Sequence, residues 1–366
     1  MMLTAGIVGL PNVGKSTLFK AITNSQVLIE NYPFATIKPN IATCPVSDPR
    51  VKKITEIFQP EKIVPTVLEM HDIAGLVKGA HKGEGLGNQF LANIREVDAI
   101  CQVVRCFEDS NITHVANKID PVDDFEVIEL ELIFADQQVI KNRLEKTVRK
   151  VKVTNDKAAL KEIELLKKIN QALDQGVVLR NQKLTEDEQE LVKPFNFLTI
   201  KPVVVIANIG ERDLSNKDNK HLEALENYAK EKGLEVISVC AKIESEIAEL
   251  EDAEKTEYLK MLDIEMSGIE QIVLATYKLL NLATFFTAGP KEVHAWTFIK
   301  GMKAPECAGI IHTDFMKGFI RAEIYNYQDL IISGDEKKVK DAGKLRIEGK
   351  NYQMQDGDIC HFRFNV

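Results

Sequence analysis

The sequence predicts an α/β fold: a parallel sheet covered by helices, interrupted by a helical insertion and followed by a small α+β module. Three observations predict it. Through about residue 121, short apolar runs alternate with glycine-rich turns and helical stretches, the pattern of a parallel sheet with helical crossovers. Residues 122–175 then contain neither Gly nor Pro, in a chain with 20 Gly and 12 Pro. From about residue 283, short β-rich runs recur between turn signals such as Asp356-Gly357.

The elements follow in order. Residues 5–9, 67–71 and 99–104 are short apolar runs bounded by breakers and read as buried strands. In the breaker-free zone Ile133, Ile140, Leu144 and Val151 keep a three-to-four spacing, with Gln137 and Thr147 at the remaining seam positions. Thr154-Asn155-Asp156 is a turn and N-cap, after which Ile163, Leu166, Ile169 and Leu173 form a second stripe. This spacing predicts a helical hairpin. The strand pattern resumes at 203–207 and 235–239, so the hairpin interrupts one α/β domain. The expected organisation is a discontinuous α/β domain at 1–125 and 197–282, a helical insertion at 126–196 and a C-terminal module at 283–366. The strands at 295–299, 319–325 and 360–364 belong to that module.

Composition narrows the class. Of 366 residues, 45% are hydrophobic and 28% charged, as in a globular protein. A net charge of −8 argues against a generic nucleic-acid-coating protein and against DNA as a partner. The six cysteines form no CxxC pair and read as small buried residues of a reducing cytosol. The N-terminus turns glycine-rich too early for a secretory leader, and no window approaches 18 uninterrupted apolar residues. A cytoplasmic protein without a membrane partner is expected.

The chemistry begins at Gly9-Leu-Pro-Asn12-Val13-Gly14-Lys15-Ser16, a full GxxxxGK[ST] P-loop between a strand and a helical stretch at 17–23. Its glycines let backbone N–H groups, including those of Val13, Gly14 and Thr17, close around phosphate oxygens at a helix N-terminus. Lys15 reaches the β/γ oxygens and Ser16 joins a Mg²⁺ shell. Asp72-Ile-Ala-Gly75 ends a strand, where Asp72 can hold Mg²⁺ through water and the Gly75 N–H can sense a γ-phosphate. Thr36, in Asn31-Tyr-Pro-Phe-Ala-Thr36, offers the hydroxyl that completes the metal shell.

Two segments compete for the base-reading role. Asn117-Lys-Ile-Asp120 spells the guanine-specifying NKxD, but no apolar strand precedes it. Asn208-Ile209-Gly210-Glu211 lacks both Lys and Asp, yet it follows a clear strand and is preferred. The longer Glu211 and the missing lysine weaken the case for guanine, and Asn208 can both give and take hydrogen bonds at an adenine edge. Cys240-Ala241-Lys242 supplies the last base-contacting loop. The position after DxxG, where many GTPases carry a water-orienting Gln, holds Leu76; His71, His81 and His114 are the nearby polar candidates.

The P-loop, Asn31-Tyr-Pro-Phe-Ala-Thr36, Asp72-Ile-Ala-Gly-Leu-Val-Lys-Gly-Ala and Gly83-Glu-Gly-Leu-Gly-Asn-Gln-Phe resemble the YchF/Obg-like ATPase family. So do Asn208-Ile-Gly-Glu and Ile311-His-Thr-Asp-Phe-Met-Lys-Gly-Phe-Ile-Arg, and the resemblance spans essentially the whole chain. It implies a translation-factor-class P-loop domain with a coiled-coil arm and a C-terminal, β-grasp-like TGS domain. It further implies ATP hydrolysis with GTP weaker, a hydrophobic residue replacing the catalytic Gln, and His114 as its substitute. Ribosome binding, chiefly to the large subunit and its RNA, is implied as well. Asn12 resembles the Asn of potassium-dependent relatives, which would admit K⁺ beside the phosphates; a turn-forming Asn is the plainer alternative. A GTP-specific switch with the same partners stands as the alternative function. The helical seam fits an intramolecular hairpin, so a monomer is expected.

The charge is unevenly spread. Nine of the 22 residues at 244–265 are Asp or Glu, whereas Lys141, Arg143, Lys146, Arg149, Lys150 and Lys152 crowd the arm against Glu145 alone. The arm is either a solvated helix face or a basic tip for RNA phosphates.

Overall fold

The structure, a computed structural model, describes residues 3–24, 40–75, 86–109, 112, 118–154, 156–215 and 218–365. The first half of the chain gives β1 (Thr4–Gly9), α1 (Lys15–Asn24), β2 (Ile41–Pro45), α2 (Pro49–Phe58), β3 (Lys62–Val64) and β4 (Val67–Asp72). It continues through α3 (Leu86–Glu96), β5 (Ala99–Arg105), α4 (Pro121–Thr154), α5 (Lys157–Asp174) and α6 (Glu186–Val192). Then follow β6 (Val203–Asn208), α7 (Lys220–Lys232), β7 (Glu235–Val239), α8 (Ala241–Ile247), α9 (Asp252–Met261) and α10 (Gly268–Leu279). The C-terminal part consists of β8 (Leu282–Ala288), β9 (Glu292–Ile299), α11 (Ala304–Ile311), α12 (Thr313–Lys317) and β10 (Phe319–Asn326). It ends with α13 (Tyr327–Ser333), α14 (Glu336–Asp341), β11 (Arg346–Glu348) and β12 (Asp358–Phe364).

Two sheets organise these elements. In the first the order is β2-β4-β1-β5-β6-β7, parallel except for the antiparallel edge pair β2–β4. Every residue of β5 and β6 is buried, as in parallel strands covered on both faces, which explains why their sequences are apolar except at Gln102, Arg105 and Asn208. The P-loop, the end of β4 and the turns after β5, β6 and β7 all lie at the C-terminal ends of parallel strands. Ligands of open α/β sheets bind there.

The insertion leaves between β5 and β6, which pair directly. Its expected start at residue 126 falls inside α4, which runs unbroken for 34 residues. The first part of α4 packs Phe125, Ile128 and Leu132 into the main core; Ile133 and Ile140 then join Leu165, Leu166, Ile169 and Leu173 in a separate hairpin core. Asp156 caps α5 by accepting from the Ala158 and Ala159 N–H groups. Of the basic stripe, Arg143 pairs with Glu162 at 2.6 Å and Lys150 with Asp156 at 3.2 Å, while Lys141, Lys146, Arg149 and Lys152 are exposed.

The return path is fixed by one carboxylate. Asp136, fully buried on α4, accepts from the Leu198 N–H (2.8 Å), the Thr199 N–H (2.8 Å) and the Thr199 hydroxyl (2.7 Å). Burial raises its pKa despite those donors.

The second sheet has the order β11-β10-β12-β8-β9-β3. β3, β8 and β11 lie outside the strands that the sequence pattern marks. β3 comes from the N-terminal part of the chain and pairs in parallel with β9, Ile63 opposite Val293. The preceding α2 buries Ile54 among Phe286, Val293 and Tyr325. Arg50, at the start of α2, bonds both Asp48 and Asp356 and lies 5.2 Å above the Phe286 ring.

Asp136→Ala is expected to leave three buried donors unpaired and to lower stability by about 2–4 kcal/mol. Amide hydrogen exchange at Leu198 and Thr199 would report it as lost protection; unchanged exchange there would show the carboxylate to be dispensable. The folded carboxyl titrates above its unfolded value, so the wild-type contribution is full at low pH and declines as pH rises through that raised value. The Ala variant lacks this slope.

Candidate functional site: a phosphate loop and three strand-end turns

The loop after β1 owes its shape to two left-handed residues, Asn12 (φ 65°) and Gly14 (φ 92°). Asn tolerates this region better than most residues, and Gly does so without strain. At Gly14 the requirement is also spatial. A Cβ there would stand 2.1 Å from Asn208 Nδ2.

Asn208, at the end of β6, is the reason. Its Nδ2 donates to the Val13 carbonyl (2.8 Å) and its Oδ1 accepts from the Ala241 N–H (3.0 Å). One buried amide thus ties the P-loop to the turn after β7. Its backbone carbonyl accepts from the Cys106 N–H (2.8 Å), joining the turn after β5 as well. The sequence pattern assigns this side chain to a base edge; the structure commits one donor and one acceptor to the protein, leaving a second N–H and a second lone pair.

These turns enclose a cavity of about 1820 Å³. Of the residues selected from sequence, Asn12, Gly14, Lys15, Ser16, Thr17, Asp72, Gly75, Asn208, Ile209, Glu211, Cys240 and Ala241 line it. Val13 does not: its side chain is fully buried in the core and its carbonyl serves Asn208, so only its N–H remains for a phosphate. Thr36, Leu76, His81 and His114 lie outside the described residues. His71 stands beside Glu69 at 3.6 Å and does not line the cavity. Within Asn117–Asp120, Lys118 pairs with Asp120 (2.7 Å), and Asp120 accepts from the Asp123 N–H at the start of α4. Lys118 holds the Asp120 carboxyl below its usual range.

Lys15, almost fully buried, donates to Asp72 Oδ1. The pair places a cation and a carboxylate at the mouth of the phosphate loop, with the Ser16 hydroxyl on the same cavity wall. An aliphatic hydroxyl and a single carboxylate are hard oxygen donors. They fit Mg²⁺, which keeps waters and is completed by substrate phosphates rather than by a protein cage.

Several contributors escaped the sequence pattern. Arg105 ends β5 with 1% exposure. It donates to the carbonyls of Phe107 (3.1 Å), Asp109 (3.1 Å) and Ile112 (3.0 Å), and its guanidinium lies 4.5 Å from the Phe107 ring centroid. It therefore shapes the loop that lines one wall. Asn219 donates to the Cys106 carbonyl at 2.7 Å while capping α7, and His221 faces Glu108 at 3.5 Å across the same wall. An isolated arginine closing an apolar strand, and Asn before a helix, were the available signals.

A phosphate loop between strand and helix, an acidic strand end and a base-side turn after β6 define a P-loop nucleoside-triphosphate-binding protein of the GTPase fold. The comparisons agree. The family model MMR_HSR1, described as a 50S ribosome-binding GTPase, matches residues 4–140. YchF-GTPase_C, described as a protein of unknown function (DUF933), matches residues 282–365. The chain is 55% identical over 367 residues to the ribosome-binding ATPase YchF of Bacillus subtilis, with 100% of both chains covered. It is 51% identical over 366 residues to that of Haemophilus influenzae, again with 100% of both covered. The solved structure of the Schizosaccharomyces pombe YchF GTPase matches with a TM-score of 0.90 at 39% identity, over 99% of this chain and 97% of that one. The chain belongs to the YchF family.

Gly14→Ala is expected to displace Asn208 and weaken nucleotide binding by about a hundredfold or more. Gly75→Ala, whose Cβ would meet nothing closer than 3.5 Å among the described residues, should retain binding. Titration calorimetry with both variants checks the pair, and tight binding by Gly14→Ala would refute the steric argument.

Proposed function

We propose that the chain is a Mg²⁺-dependent ATPase, with GTP a weaker substrate, whose nucleotide state governs binding to the ribosome. The observation that carries the catalytic part is the convergence of Lys15, Ser16, Asp72, Gly75 and Asn208 on one cavity. The relatives' name, ribosome-binding ATPase, supports both halves of the reading.

In this reading the P-loop N–H groups and Lys15 hold the β- and γ-phosphates, and Lys15 turns from Asp72 toward phosphate oxygen. Ser16, Asp72 and Thr36 would hold Mg²⁺, which supplies charge neutralisation as the γ-phosphoryl group transfers. The Gly75 N–H contacts the γ-phosphate, so its loss on hydrolysis is felt at the end of β4. Asn208, Ile209, Glu211, Cys240 and Ala241 receive the base. Asn12 offers a side-chain oxygen for K⁺ near the phosphates. His114 orients the attacking water in place of the absent glutamine.

The partner in this proposal is the large ribosomal subunit, met through its RNA by the exposed Lys141, Lys146, Arg149 and Lys152 of the arm. The chain works as a cytoplasmic monomer, with 1–125 and 197–282 as nucleotide unit, 126–196 as arm and 283–366 as TGS module. GTP-specific switching is the second reading. It is favoured by the matched N-terminal family and the S. pombe relative, both of which are described as GTPases.

Competition of ATP against GTP for the purified protein separates the two readings, and tighter GTP binding would remove the ATPase proposal. His114→Ala is expected to lower kcat by about a hundredfold while leaving ATP affinity nearly unchanged. Unaltered turnover would make His114 a bystander. Reversing the charges of Lys146 and Arg149 should reduce co-sedimentation with ribosomes, most at low salt and less as salt screens the contacts, without changing ATP hydrolysis. Full pelleting of this variant would return the stripe to a solvated face.

A further inference from the structure

Glu211 and Lys242 stand on the two turns that Asn208 relates, one after β6 and the other in the first turn of α8. Both line the nucleotide cavity, and Lys242 Nζ donates to Glu211 Oε1. The other acidic neighbour of Lys242, Glu246, accepts instead from the Tyr258 hydroxyl at 3.2 Å. Both members of the pair are exposed, Glu211 at 46% and Lys242 at 69% of the side chain. Such pairs add next to nothing to stability, so folding does not account for it.

We propose that Lys242, by pairing with Glu211, sets the nucleobase preference of the site; this inference rests on the ATPase reading. The pair presents a carboxylate acceptor beside an ammonium donor. The Watson–Crick edge of adenine carries the complementary order, an N6 amino donor beside the N1 acceptor. Guanine carries the reverse, an O6 acceptor beside the N1–H donor, with a second donor at N2. Held as a pair, the two side chains match adenine and meet guanine with carboxylate against O6 and ammonium against N1–H. Each guanine contact is then repulsive, which rejects the wrong base as effectively as attraction selects the right one. A carboxylate without its lysine would instead accept from N1–H and N2–H₂ together. Lys242 is therefore a specificity-determining residue, and Glu211 alone does not fix the choice.

The test measures affinities of wild type, Lys242→Met and Lys242→Arg for ATP, GTP and inosine triphosphate, with Mg²⁺ present. Inosine triphosphate keeps the O6/N1–H edge and lacks the N2 amino group. Loss of one positive charge near a triphosphate acts on all three ligands alike and cancels in the ratios. Lys242→Met is expected to compress the ATP/GTP affinity ratio about tenfold or more, with inosine triphosphate gaining alongside GTP. Lys242→Arg, which keeps a donor cation beside Glu211, should keep the wild-type ratio. An unchanged ratio in Lys242→Met, in a protein whose wild type prefers ATP, overturns the proposal and leaves the ATPase reading standing. GTP gaining while inosine triphosphate does not would also overturn it, because the O6/N1–H edge would not then be what is read. A wild type that prefers GTP refutes the ATPase reading itself.

Discussion

The site depends on one side-chain amide. Asn208 spans from the Val13 carbonyl to the Ala241 N–H, and with its own backbone it holds Cys106. Four strand-end segments that are far apart in sequence therefore share a single buried reference point. The left-handed Gly14 is dictated by this contact as much as by phosphate, since any side chain there would collide with the amide nitrogen. Geometry that must be accurate to fractions of an ångström is built on the rigid ends of buried strands, with the irregular turns pinned to them.

The same device recurs with different chemistry. Arg105 is buried and donates to three carbonyls of the loop it precedes. Asp136 is buried with three donors aimed at it, at the point where the chain leaves the arm and re-enters the sheet. Buried charged groups are expensive unless fully hydrogen-bonded, and here each organises an irregular segment that no regular ladder could hold. Helical hairpin and sheet are thus fastened at the root of the arm, while its tip is held mainly by its own seam.

Much of this was legible in the sequence because it is local. Glycine spacing, the strand before it and the helix after it identify the phosphate loop, and the breaker-free stretch announces the hairpin down to its Asp156 cap. The preference for Asn208 over Asn117 rests on context: a base-side turn needs a strand behind it, and Asn208 ends β6 on the cavity wall while Asp120 accepts from the start of α4. What escaped is long-range. The partners of Arg105 are backbone carbonyls of a loop with no periodicity, and the dual engagement of Asn208 requires knowing that β1, β6 and β7 end together. The three-residue β3, between prolines at 60 and 65, carries too little pattern to announce a strand whose neighbour lies far along the chain.

That strand shapes the order in which the chain can fold. The first sheet has all its strands by β7 and its covering helix by α10, whose Ile272, Val273 and Ala275 join its core, so its contacts are complete before the second sheet is made. α2 and β3, embedded in the N-terminal half, cannot bury Ile54 or pair Ile63 until β8, β9 and β10 exist, more than two hundred residues later. During synthesis this segment would hang from a formed domain with its apolar face uncovered, the condition under which nascent chains rely on chaperones. Once β9 arrives, closure of the second sheet stitches the two ends of the polypeptide together.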